Sequence, residues 1–133
     1  MKLNVMFIIA AILLILSGIG SLLGPVVARA ALSAAVGAAL DDATAFNILL
    51  SGVVFLSLGV IAWLVRNAEA SKTRDSVVLG YTLLFALWAV VSVYGSFLDM
   101  PARSISWLPA LIQALIAVGF FMAGKASMST SAS

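Results

Sequence analysis

Five side chains in this sequence have the chemistry to hold a ligand within an otherwise apolar chain: Asn47, Tyr94, Asp99, Arg103 and Gln113. The amides of Asn47 and Gln113 both donate and accept, Tyr94 brings a hydroxyl, and Asp99 with Arg103 makes a charge pair four residues apart. Together they predict an outer-half pocket in which a few polar groups orient an apolar molecule such as a lipid or a quinone. A second candidate is the aromatic stripe of Tyr81, Phe85 and Trp88, which Ser92 and Ser96 continue along the same helical face. Such a stripe stacks against a cofactor ring or against a neighbouring helix. Helix packing is its commoner use, and no cofactor is expected here.

Other chemistry is excluded by residue type. The chain has no Cys, which removes thiolate catalysis, disulfide exchange and iron–sulfur ligation. It has no His, the commonest metal ligand and proton shuttle. No carboxylate falls inside an apolar stretch, where proton-coupled pumps commonly carry one, and no Arg-rich span or phosphate-cradling Gly loop occurs. We therefore expect no catalytic residue, no metal ligand and no enzyme activity. Seven Lys/Arg against five Asp/Glu leave a net charge of +2, too small and too dispersed for a nucleic-acid partner.

The elements that must position these residues are plain. Four apolar stretches, at about 5–23, 46–65, 77–98 and 105–123, contain no Asp, Glu, Lys or Arg. Crossing about 30 Å of hydrocarbon takes about 20 helical residues, which each stretch supplies. Hydrophobic residues make up 64% and charged residues 9%, against about 45–50% and about 25% in soluble domains. The expected fold class is all-α: an integral membrane four-helix up-down bundle, with a short interfacial helix in the first outer loop. Residues 1–133 then form one four-span domain, ending in a flexible polar tail at 126–133.

Charge placement orients that bundle. Lys2, Arg66, Lys72, Arg74 and Lys125 fall on one side and only Arg29 and Arg103 on the other. The positive-inside bias puts both termini and the second loop in the cytoplasm. Trp63 and Trp107 suit interfacial anchors. Residues 1–30 also read as a signal peptide ending in Ala28-Arg29-Ala30. The apolar run exceeds the usual 7–15 residues of such a peptide, so the first span is expected to be retained.

In the first outer loop, Gly24-Pro25 predicts a helix stop followed by a new start. Leu32, Val36 and Leu40 would share one stripe of an Ala-rich helix lying flat on the membrane. Asp41, Asp42 and Thr44 make a polar start for the second span, and Asp75 or Ser76 would cap the third.

Within the spans, small residues recur at four-residue spacing: Gly20 with Gly24, Ser17 with Ser21, Ser92 with Ser96, and Ala110 with Ala114. Gly52 adds another small position in span two. Small residues let membrane helices approach closely. Packing and pocket therefore compete for the same outer halves, and packing is the preferred reading.

The layout resembles the small four-helix bacterial membrane proteins called DoxX-like. The resemblance lies in chain length, four spans with both ends inside, the run Gly18-Ile-Gly-Ser-Leu-Leu-Gly-Pro closing span one, and Gly52 and Gly59 in span two. It implies a bundle in a bacterial inner (cytoplasmic) membrane. The charged or His positions often found in the spans of such proteins are absent here, so it implies no site residue. The expectation is a non-catalytic structural or accessory subunit, whose partners are the lipid bilayer and other membrane-protein chains in a homo-oligomer or larger complex. The alternative is a binding or transport module for a small apolar ligand.

Overall fold

A computed structural model describes residues 2–36, 41–97 and 107–130. Five helices account for nearly all of them: α1 (Leu3–Val27), α2 (Arg29–Val36), α3 (Asp42–Val65), α4 (Lys72–Phe97) and α5 (Trp107–Thr130). No strand occurs among the described residues. Four of the helices are long and apolar enough to cross a membrane. The 25 residues of α1 reach about 37 Å at 1.5 Å per residue.

Each boundary has a local cause. At the start of α3 the backbone N–H of Thr44 donates to Asp41 Oδ1 at 2.7 Å, and Ala45 N–H donates to the Asp41 carbonyl at 2.9 Å. Asp41 is thus the N-cap, as the acidic start of this span led us to expect.

Helix α4 departs from expectation. Its cap is Ser71, whose Oγ accepts the Arg74 N–H at 3.2 Å while its carbonyl accepts Asp75 N–H at 3.0 Å. Asp75 and Ser76 lie within the first turns rather than at the cap. The Ser76 hydroxyl turns back to the Lys72 carbonyl at 2.9 Å. A serine in the loop can cap as soon as the chain turns helical, so the helix starts before the apolar run does.

The expected stop at Gly24-Pro25 also moves. Both residues lie inside α1, with Pro25 in its last turn, and the break falls at Ala28. Pro25 cannot donate to the Ser21 carbonyl, but its fixed φ is helical. The ladder resumes beyond it, with Ala28 N–H donating to the Gly24 carbonyl at 3.0 Å. Leu32 of α2 then folds onto Gly24, where an added Cβ would lie 3.3 Å from its Cδ2. Leu40 lies outside the described residues. At the other end of the chain, α5 runs on to Thr130, into the segment expected to be a flexible tail.

Backbone contacts divide the chain into two units. The first contains the opening turn of α1 with α4 and α5. Here α4 and α5 pair antiparallel: Val78 lies against Gly124, Phe85 against Phe120, and Ser92 against Gln113. The core is aromatic. Phe120 stacks on Tyr81 at 5.6 Å and on Phe85 at 6.2 Å, while Phe7 meets Tyr81 and Phe120 edge-on at 5.8 and 5.2 Å. Phe7, Phe85 and Phe120 are completely enclosed. Such ring pairs contribute about 0.5–1.5 kcal/mol each beyond area burial.

The second unit contains the rest of α1 with α2 and α3. Its helices α1 and α3 also run antiparallel, and glycines set how close they come. An added Cβ on Gly18 would lie 2.6 Å from the Leu56 backbone N, and one on Gly59 would lie 2.8 Å from the Ile15 backbone N. One on Gly52 would lie 3.0 Å from the Gly18 carbonyl oxygen. These are backbone-to-backbone approaches that no side chain can move aside to permit. The buried residues of α3 are all small: Ala45, Gly52, Gly59 and Ala62.

Candidate functional site

The five residues expected to form an outer-half pocket meet different fates. Asp99 and Arg103 lie outside the described residues. Asn47 and Tyr94 are exposed, in different units. The hydroxyl of Ser51, one turn on from Asn47, donates to the Asn47 carbonyl at 2.9 Å.

Gln113 alone is a buried polar side chain among the described residues. Its Oε1 accepts the Ser92 hydroxyl at 2.9 Å, joining α4 to α5. A polar side chain in an apolar surrounding requires such a partner, because water is not there to supply one. Several other hydroxyls along the helices bond their own backbones. Ser57 donates to the Val53 carbonyl at 2.8 Å and Thr82 to the Val78 carbonyl at 2.9 Å. The polar groups of the spans are thus used to close the fold locally or to tie two helices.

The aromatic stripe of α4 is core on one side. Tyr81 and Phe85 are buried against Phe7 and Phe120, and Trp88 stacks on Phe85 at 6.2 Å. Among the described residues, no three His, Cys, Asp or Glu side chains come together to hold a metal.

The expected small-residue contacts divide. Gly52 is buried in the α1–α3 seam and Gly24 carries Leu32, whereas Gly20 has nothing within 4 Å of where its Cβ would sit. Ser17 is exposed and Ser21 half-buried; Ala110 is buried and Ala114 exposed. Ser92 bonds Gln113, and the surroundings of the Ser96 side chain lie outside what is described. Missed altogether is a spacing of seven. Ala11, Gly18 and Pro25 on α1, and Ala45, Gly52 and Gly59 on α3, are all buried. Seven residues are close to two turns, so each trio stays on one face.

One concave feature in the α4/α5 unit combines small residues with exposed apolar ones. It is a groove of about 400 Å³ between the two helices, floored by Ala89, Ala110 and Ala114. Val90, Val93, Trp107 and Leu111 complete the described lining. Two short alanines on α5 and one on α4 leave the hollow, because a longer side chain at any of them would fill it. Among the described residues, no charged or amide side chain lines it.

At the starts of α2 and α3 charges pair locally. Arg29 of α2 donates to Asp42 Oδ1 at 2.8 Å, on the surface. The Asp41 carboxyl is held below the usual aspartate range by hydrogen bonds from the Thr44 hydroxyl and then the Thr44 N–H, with a further pull from the Arg29 charge.

Comparison with protein-family models, with curated proteins and with solved structures finds no significant match to this chain.

Proposed function

We propose that this chain is a multi-pass membrane protein without catalysis of its own, a structural or accessory subunit that packs laterally against another transmembrane helix. Both ends and the loop between α3 and α4 face the cytoplasm in this reading, as the five-to-two distribution of basic residues favours. The observation that carries it is the alanine-floored groove of α4 and α5. Helices in lipid gain little from burying apolar surface, since lipid tails are as apolar as leucine. They associate where small residues let backbones approach and dispersion contacts multiply. The α1–α3 seam illustrates the same physics inside the chain, with Gly18, Gly52 and Gly59 at the contact. The α4/α5 groove offers comparable small residues on a face that no described residue of the α4/α5 unit fills.

A second reading rests on the same hollow. Its volume falls within the range of about 300–1,000 Å³ common for ligand sites, and its lining suits an acyl or isoprenoid chain. Gln113, the polar group expected to orient such a ligand, is already engaged by Ser92. The lining therefore selects for shape and apolarity alone, which favours a helix over a molecule with a polar head.

The test is affinity purification in mild detergent of the parent chain and of Ala114→Leu, which fills the groove from an exposed position. The subunit reading expects a stoichiometric partner chain with the parent and its loss with the variant, at unchanged helicity. A lone chain carrying lipid that Ala114→Leu releases would favour the second reading. A lone chain with no partner and no retained lipid would sink both.

A further inference from the structure

We propose that the cleft where the start of α1 meets the α3–α4 turn is a binding site for the phosphate group of an anionic lipid. Asn4 and Phe7 of α1, Arg66 and Asn67 of the turn, and Arg74 of α4 line a cavity of about 280 Å³. Leu3, Val65 and Ala68 complete its apolar side. Among the described residues, no acidic side chain lines it.

Burial separates these arginines from charges that only set topology. Six basic residues lie among those described. Lys2, Arg29, Lys72 and Lys125 are exposed, and the two that are partly buried, Arg66 and Arg74, both line this cavity. An exposed lysine satisfies the positive-inside bias as well as an arginine does. Both arginines have partners within the chain, and their shared positive charge in one partly enclosed cavity favours an anion there. The Arg74 side chain is 12% exposed, and Asp75 lies 3.6 Å from its Nη2. Glu69 is exposed and absent from the lining.

The residue types fit one chemistry. Guanidinium forks match phosphate oxygens bidentately, and the Asn67 amide adds a neutral donor. Leu3, Val65 and Ala68 beside them suit the glycerol and first methylenes that follow a lipid phosphate. In the membrane reading, on which the lipid identity rests, this end faces the cytoplasmic leaflet, where anionic lipids concentrate. A free phosphate ion offers the same oxygens without the apolar part, so the two sources are separable.

The experiment uses the full chain in nanodiscs of phosphatidylcholine alone or mixed with phosphatidylglycerol, with bound lipid counted by native mass spectrometry. Expected is preferential retention of phosphatidylglycerol, reduced about tenfold by Arg66→Gln and again by Arg74→Gln, the loss of one charge-assisted hydrogen bond to the phosphate in each case. Lys125→Gln makes the same charge change on an exposed residue outside the cavity and should leave the preference intact. If Arg74→Gln fails to fold with Asp75 left uncompensated, Arg66→Gln carries the comparison alone. Inorganic phosphate added to the detergent-solubilised chain tests the cavity without a bilayer. Displacement of the lipid shows that the phosphate suffices, and its failure shows that the glycerol ester is also read. Equal retention of both lipids by the parent chain, or equal losses for Lys125→Gln and Arg66→Gln, would overturn the site. A chain that does not enter nanodiscs would overturn the membrane reading instead.

Discussion

Gly18 and Gly20 stand two positions apart on α1 and should answer oppositely to the same substitution. A Cβ at Gly18 meets the Leu56 backbone, while one at Gly20 meets nothing. Gly18→Ala is expected to force α1 from α3 and cost about 1–3 kcal/mol, the range for overpacking a tight contact. Gly20→Ala should be neutral. Unfolding by denaturing detergent, followed by circular dichroism, measures both. Two residues of the other unit differ in the same way. Phe120→Ala removes a fully enclosed ring that touches three others and should cost about 3 kcal/mol, the low end for such a deletion in the proposed membrane setting, where lipid is the alternative surrounding. Gln113→Leu removes one interhelical hydrogen bond and should cost about 1 kcal/mol or less, since the Ser92 hydroxyl can turn to its own helix backbone.

Helix ends, unlike helix middles, depend on single polar side chains. Asp41 caps α3 and its carboxyl is held below the ordinary aspartate range in the folded chain. A depressed pKa means that the contribution is present above the unfolded value and is lost as pH falls through the folded one. Protection of the Thr44 amide against hydrogen exchange should therefore fall only on acidification to below the ordinary aspartate range. Asp41→Ala should weaken that protection at neutral pH and abolish the pH dependence. An unchanged Thr44 exchange rate in the variant would show that the carboxylate does not hold this end. Ser71 plays the same part for α4 through its hydroxyl, and no titration is expected there.

For the whole molecule, the decisive property is which flank each loop occupies. The chain has no cysteine, so single cysteines report accessibility without background. Ala34, Ala70 and Ala126 are exposed positions on α2, in the α3–α4 loop and on α5 beyond Lys125. A membrane-impermeant maleimide should label Ala34→Cys in intact cells, and Ala70→Cys and Ala126→Cys only after lysis. Labelling of Ala126→Cys and Ala70→Cys from opposite sides would remove the four-crossing reading, and with it the cytoplasmic placement of Arg66 and Arg74.

Composition and charge placement determined the class of element. Runs of about 20 residues without a charge admit one backbone solution in hydrocarbon, a helix that satisfies its own hydrogen bonds, and helices cover every described residue of those runs. The acidic start of α3 was legible too, because capping is a local matter of a few adjacent residues. Which faces meet was not legible. Periodicity marks a buried face only when the helix circumference differs in polarity, and here Leu, Val, Ile and Ala occupy every side. The four-residue spacing singled out Gly20, which touches nothing, while the seven-residue trios through Gly18 and Gly59 form the close seam. The Ser92–Gln113 bond, the ring cluster around Phe120 and the gathering of Arg66 and Arg74 on one cleft join residues distant in the chain. Only the tertiary structure decides such pairings, because they follow from how backbones pack once every side chain is equally apolar.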